Sequence, residues 1–293
     1  MKRVTGMFVV ATAFFLAAPP AVAAQSEKIS IRMAPRPGQT VRLNLAHEVD
    51  MDISFDAGAA PGLMPMRMVI RMTAAMTQKT GALKPDGTLD AEFTYDRFRI
   101  EISMNGQTMP ANTDNPLTGK PIVVTYNRNG DVVGVQGMPA ALTDGMFEQL
   151  MGSFVGSLPA TALAVGETTT APMDLALPLP LPGAPAMKMV GQTRLTLVSL
   201  DQDARGRSAR FESTTAGSVM SDVASPDGQG KMAVDLSHSG EGTYVLDLDT
   251  GVLRSNITTS HINGKMNIAG GAASPALPGM SMRGTIKMTL TSD

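Results

Sequence analysis

Along residues 40–56 apolar and polar side chains alternate. Val41, Leu43, Leu45, His47, Val49, Met51, Ile53 and Phe55 share one parity, and Arg42, Asn44, Glu48, Asp50 and Asp52 the other. Period two sends successive side chains to opposite faces, so this segment predicts one long strand with one wet face. After the small-residue turn 56–62, Met64, Met66, Met68, Ile70, Met72, Ala74 and Met76 alternate against Arg67, Val69, Arg71 and Thr73. A helix would gather Met68, Met72 and Met76 but scatter Met64 and Met66. Alternation accommodates all five, and a second strand is predicted. The antiparallel register that sets Asp52 opposite Arg67 also sets Glu48 opposite Arg71, and on the other face Ile53 on Met66, Met51 on Met68 and His47 on Met72. Opposite charges directly across a ladder favour that register.

The turn Lys84-Pro85-Asp86-Gly87 leads into a third strand over 89–104, whose apolar parity slips by one residue near Arg97 and Phe98; such a slip predicts a β-bulge. A hairpin follows over 122–126 and 132–135, turned by Asn127-Arg128-Asn129-Gly130. The period then changes. Met146, Phe147, Leu150, Met151, Phe154, Val155 and Leu158 recur at helical spacing between Pro139 and Pro159, which predicts an amphipathic helix over 142–158 packed through Phe147, Leu150, Met151 and Phe154. Pro178, Pro180, Pro182 and Pro185 exclude a central strand and predict an edge or polyproline II connector. Strand periodicity resumes over 188–200, 209–219, 231–248, 252–266 and 281–290. The expected fold is all-β: two antiparallel sheets or half-barrels of about five strands each, joined by one amphipathic helix. An N-terminal half spans 25–136, the connecting helix lies within 137–160, and a C-terminal half spans 161–293.

The first residues alter where this fold is expected to reside. Lys2 and Arg3 precede an apolar run over 4–18 and the small-residue stretch Pro19-Pro20-Ala21-Val22-Ala23-Ala24, the order of a cleavable secretory signal over 1–24. The run is about fifteen residues, short of the roughly twenty that span a bilayer, and no later apolar segment is longer. The sequence therefore predicts an exported protein, periplasmic or extracellular, with no transmembrane span after cleavage. Loss of Lys2 and Arg3 leaves 22 basic against 26 acidic groups, so the net charge moves from −2 to −4. That balance argues against a nucleic-acid partner, which a basic patch would mark. Cysteine is absent, and stability must come from burial rather than disulfides. Methionine numbers 23, Tyr 3 and Trp none, so the interior is expected to be aliphatic and thioether. An outer-membrane barrel would need aromatic girdles that this composition does not supply.

Candidate chemistry is sparse. No nucleophile elbow, H-E-x-x-H, Walker A or dinucleotide glycine pattern occurs, so neither an enzyme nor a cofactor is predicted. His47 and His238 fall in phase with apolar strand positions, and a three-histidine zinc site with His261 would need their strands to converge. The runs Met64-Pro65-Met66-Arg67-Met68, Met187-Lys188-Met189 and Met280-Ser281-Met282 offer thioethers of the kind that select Cu(I). They too are in phase with apolar faces, and no metal is predicted. The remaining reading is a hollow lined by Val49, Met51, Ile53, Met66, Met68, Ile70, Met72, Phe98 and Ile100 that admits a lipid or other apolar ligand, since methionine faces adapt to varied shapes. The alternative is a structural or protein-interaction module of the cell envelope with an ordinary packed core. Its protein partner is not specified by the sequence.

The stretch Asn127-Arg128-Asn129-Gly130-Asp131-Val132-Val133-Gly134-Val135, the pair Leu158-Pro159, the turn Val165-Gly166-Glu167 and the hairpin Tyr244-Val245-Leu246-Asp247-Leu248-Asp249-Thr250-Gly251 resemble an uncharacterised family of exported bacterial β-proteins over most of 39–268. These are turn and packing motifs, so the resemblance implies a shared fold and no activity. In architecture alone, strands curling round an apolar hollow with a helix against it are distantly similar to periplasmic lipoprotein carriers.

Overall fold

The computed structural model describes residues 27–31, 35–56, 64–109, 118–128, 132–137, 161–177, 187–224, 231–269 and 277–293. The alternating segments become the strands β1 (Thr40–Phe55), β2 (Met66–Thr80), β3 (Leu89–Met104), β4 (Gln107–Met109), β5 (Pro121–Tyr126), β6 (Val132–Gln136), β7 (Thr168–Leu177), β8 (Met187–Asp203), β9 (Gly206–Ala224), β10 (Lys231–Asp247), β11 (Leu253–Ala269) and β12 (Leu277–Ser292). All belong to one antiparallel sheet in the order β6-β5-β3-β2-β1-β12-β11-β10-β9-β8-β7, with β4 beside β3. The sheet is open, and β6 and β7 are its edges.

Local registers follow the sequence closely. Asp52 lies opposite Arg67, Glu48 opposite Arg71, Ile53 opposite Met66, Met51 opposite Met68 and His47 opposite Met72. The ion pairs add a detail that register alone does not settle. Arg71 Nε donates to Glu48 Oε2 at 2.8 Å directly across the ladder, whereas Arg67 reaches diagonally to Asp50, with Nε at 2.9 Å and Nη2 at 2.6 Å from the two carboxylate oxygens. The bulge is present. The register passes from Ala75 opposite Arg97 to Met76 opposite Tyr95, leaving Asp96 as the extra residue. Two strands were not apparent from periodicity. β4 is formed by a two-residue turn in which Asn105 and Gly106 both take positive φ, 50° and 80°, as a tight hairpin requires. β7 carries Pro172, which an edge strand tolerates because one side of its ladder is unpaired.

The two expected sheets are one sheet. β1 and β12 pair over thirteen positions, from Leu43 opposite Ser292 to Phe55 opposite Met280, nearly as many as the fourteen of the β1–β2 hairpin. The halves therefore join through a ladder as continuous as a local one, closed by the first and last strands. Adjacency in sequence reveals hairpins; this junction joins residues more than two hundred apart and leaves no local mark. The predicted signal 1–24, the helix over 142–158 with its Phe154 contact, and the proline-rich connector at 178–185 lie outside the described residues.

One face of the sheet gathers the apolar positions. At one end of β8–β11, Leu195, Leu197, Ala209, Phe211, Leu246 and Leu253 form a core covered by Ile31 and Leu163, whose segments are tied by reciprocal Ile29–Leu163 backbone hydrogen bonds of 2.8 Å. Toward the other end, Met173, Met189, Val219, Val234, Leu236 and Met266 form a second core. Leu43, Ala74, Met76 and Val252, and then Ala91, Ile122, Val124 and Tyr126, continue the apolar layer across β1, β2, β3 and β5. Below the first core the turn ends are tied by Arg254, whose side chain is 6% exposed. It donates from Nε to Asp247 Oδ2 at 2.8 Å and from Nη1 to both Asp203 carboxylate oxygens at 2.9 Å. Burial pulls the guanidinium pKa down, but the hydrogen bonds to the two aspartates outweigh it and leave the group above its ordinary value.

Candidate functional site

Where β8 meets β9 and β10 meets β11 the strands fold toward the apolar face, and glycine makes that fold sterically feasible. A Cβ at Gly191 would stand 2.2 Å from the Ala216 carbonyl oxygen, and one at Gly264 would stand 2.1 Å from the Asp235 carbonyl oxygen. Neighbouring backbone comes that close to a side-chain direction only where the strands fold toward that side. Both residues pair within the apolar rows described below, so this face is the concave one.

All nine residues proposed as lining share that face. Val49, Met51 and Ile53 come from β1, Met66, Met68, Ile70 and Met72 from β2, and Phe98 and Ile100 from β3. The registers stack them in lateral rows: Ile53 with Met66, Met51 with Met68, Val49 with Ile70, Met72 with Ile100, and Ala74 with Phe98. Ile53 is buried at 8% exposure; the other eight are half-buried. The same rows extend into residues that periodicity did not single out. Met104 and Ile102 continue them on β3, and Met282, Ile286 and Met288 on β12. The β12 residues carried the right alternation in sequence, but only the β1–β12 ladder brings them beside Ile53, Val49 and His47.

Beyond β12 the rows change character. The row through Ile286 and Val49 continues as Ser260, Gly240, Thr215 and Thr193, and the row through Met288 and His47 continues as Thr258, Gly242 and Ser213. Two rows that read Ile286, Val49, Ile70 and Met288, His47, Met72 across β12, β1 and β2 are thus hydroxyl and glycine on β11, β10 and β9. Thr215, Gly240, Thr258 and Ser260 are half-buried. This belt was missed in the sequence, where Gly, Ser and Thr in phase with apolar residues only weaken an alternation.

Histidine occupies both parts. His47 stands between Met72 and Met288, and His238 between Gly217 and Ile262. Burial lowers the pKa of each from its ordinary value of 6.5, so both are neutral near pH 7. His238 Nδ1 and Asn256 Oδ1 are buried and have no hydrogen-bond partner among the described residues. His261 lies on the opposite, convex face, exposed, with Nδ1 3.3 Å from Thr285 Oγ1. The three histidines therefore do not converge on one site. In the five rows through Leu236, His238, Gly240, Gly242 and Tyr244, no described position is Asp, Glu, Lys or Arg; the charged residues of β12, β1 and β2 stand on the convex side.

No family model matches the chain, and no curated protein matches it. Among solved structures it is similar to lipovitellin, from a structure of lipid–protein interactions in lipovitellin, with a TM-score of 0.42 at 10% identity, covering 89% of this chain and 25% of that one. The chain thus spans a quarter of the lipovitellin chain. It is also similar to an outer membrane channel from Pseudomonas putida F1, with a TM-score of 0.24, 9% identity, and coverage of 89% and 98%. A candidate exported protein of YmcC-like fold from Bacteroides fragilis follows with a TM-score of 0.14, 8% identity, and coverage of 87% and 98%. At these scores and identities the likenesses carry no argument about ligand, location or mechanism. No helix among the described residues is long and apolar enough to cross a membrane.

Proposed function

We propose that this protein is an exported, non-enzymatic binding or carrier protein that holds a lipid or other apolar chain against the Met and Ile rows of β12, β1, β2 and β3. One observation carries the reading. These rows lie half-buried on the concave face of a single open sheet, while the convex face of the same strands takes all the charge. Leaving that much apolar surface wet is unfavourable, and contiguous exposed apolar patches mark binding sites. An acyl chain seated there gains about 0.8 kcal/mol per buried methylene, so partial enclosure suffices for useful affinity. Methionine side chains, unbranched and polarizable, re-form around different shapes. The signal-like residues 1–24 support export.

The test is titration of the delipidated protein with the neutral apolar fluorophore N-phenylnaphthylamine, using Met68→Glu and Ile70→Glu as comparisons and circular dichroism to confirm that each variant is folded. Saturable binding by the parent, weakened about tenfold or more in both variants, is expected. Absence of saturable binding, or equal binding by folded charged variants, overturns the reading in favour of an ordinary packed envelope module.

A further inference from the structure

We infer that the preferred ligand is an amphiphile with an uncharged, hydroxyl-bearing head, of the monoacylglycerol class, its chain on the Met and Ile rows and its head on the hydroxyl and glycine belt of β9, β10 and β11. The inference rests on the binding reading above and deepens it.

Three independent features of the concave face lead there. The first is the abrupt change within single rows: crossing from β12 to β11, Ile286 gives way to Ser260 and Met288 to Thr258. Crossing on to β10 they give way to Gly240 and Gly242. A ligand apolar throughout would gain nothing from that change, whereas a chain ending in a polar group matches it in both position and order. Glycine at two successive concave positions of β10 lets the hydroxyl side chains of its neighbours close in: a Cβ at Gly240 would meet Ser260 Oγ at 2.8 Å, and one at Gly242 would meet Thr258 Cγ2 at 2.8 Å and Ser213 Oγ at 3.0 Å, so polar groups of β9 and β11 converge over β10.

The second feature is the pair of unmet polar atoms flanking the belt. His238 occupies the row on one side, next to Gly240 along β10. Asn256 occupies the row on the other, next to Thr258 along β11, and is only 6% exposed. A buried polar atom without a partner is costly, and such atoms in a folded chain call for an explanation. Asn256 Oδ1 accepts, and the Nδ1 of a neutral histidine donates or accepts according to tautomer. Both atoms are closed to solvent in the ligand-free chain, and a head carrying hydroxyl groups, each both donor and acceptor, can satisfy either when the amide or the ring turns toward the belt.

The third feature is charge. No described position in the five rows bears an ionised side chain, and burial keeps His47 and His238 neutral. A carboxylate or phosphate head placed on the belt would lose its water without meeting a counter-charge, which is strongly unfavourable. A glycerol or comparable neutral head escapes that cost.

The experiment is displacement of N-phenylnaphthylamine from the full chain at pH 7.5 by a monoacylglycerol and by the free fatty acid of the same chain length. Displacement by the monoacylglycerol at about tenfold lower concentration is expected, the affinity equivalent of one or two hydrogen bonds. In a Thr215→Val, Thr258→Val, Ser260→Ala variant, and separately in Asn256→Leu, probe binding should persist while the monoacylglycerol needs a concentration about tenfold higher to displace it. Equal displacement of the parent's probe by the two ligands, or an unchanged monoacylglycerol concentration in both variants, overturns the inference and leaves the binding reading intact. Failure of the parent to bind the probe overturns the binding reading itself.

Discussion

The strands β8–β10 and the strands β12, β1 and β2 are built on the same alternation and belong to the same sheet, yet their concave faces end differently. On β8 and β9, Leu195, Leu197, Ala209 and Phe211 are wholly buried, because Ile31 and Leu163 lie over them. At Gly191 and Gly217 an added Cβ would meet Met173 Cε at 2.9 and 2.5 Å, so that side chain lies over both positions. On β1 and β2, Val49, Met51, Met68, Ile70 and Met72 point to the same side and are only half-buried. The difference is not one of residue class, since both sets of side chains are apolar. It lies in what covers the face. Alternation decides which side of a strand avoids water, and a second layer decides whether that side is core or surface.

This contrast is sharpest in the cost of removing a side chain. Phe211→Ala should destabilise the ligand-free protein by about 3 to 5 kcal/mol, as for a fully buried phenylalanine, whereas Met68→Ala should cost about 1 kcal/mol, the share of a half-buried methionine. Denaturant titration of both variants measures the gap. Equal losses would mean that the β1–β2 face is packed as core.

The next largest effect belongs to the turn end beneath the filled region. Arg254→Ala leaves Asp247 buried without its main cationic partner, and a loss of about 3 kcal/mol is expected. On the convex side of the open region, Arg71→Ala breaks an exposed pair with Glu48, and its denaturation midpoint should scarcely move. A smaller loss from Arg254→Ala than from Arg71→Ala would contradict the difference in burial between these two ion pairs. The bend gives the third measurement. Gly264→Ala drives a methyl toward the Asp235 carbonyl and the Leu236 Cα, and overpacking of this kind costs about 1 to 3 kcal/mol. An unchanged midpoint would show that the strands there are not folded toward the concave side.

The smallest effect concerns pH. His47 and His238 both titrate below 6.5 in the folded chain and near it in the unfolded one. As pH falls through 6.5 the unfolded chain takes up protons first, so stability declines from there downward and is restored on returning above it. The melting temperature should therefore drop between pH 7 and pH 5, a window above that of Asp50 and Asp247, whose pKa values are lowered from 3.8. The decline should flatten in the His47→Gln, His238→Gln double variant. An identical slope in parent and double variant would show that neither histidine is held neutral by the concave face.

How far the residues themselves lead differs between local and distant pairings. The alternation of Val41 to Phe55 against Arg42 to Asp52, the Asp52–Arg67 and Glu48–Arg71 register, and the slip near Arg97 each arise within a few tens of residues, and each was legible because side-chain period and turn chemistry act locally. So was the common face of Val49, Met68 and Phe98. The belt was not legible: Thr215, Gly240 and Ser260 lie on three different strands, and each alone is an unremarkable strand residue. Nor was the union of the two halves, because the ladder from Leu43 to Phe55 with Ser292 to Met280 depends on which edge of β1 remains free once β2 has taken the other. The chain's own pattern thus determined the strands, their faces and their nearest partners. The tertiary structure alone decided that the sheet is single, that it bends, and that Met rows end beside a hydroxyl belt, because edge pairing and coverage depend on groups brought together from opposite ends of the sequence.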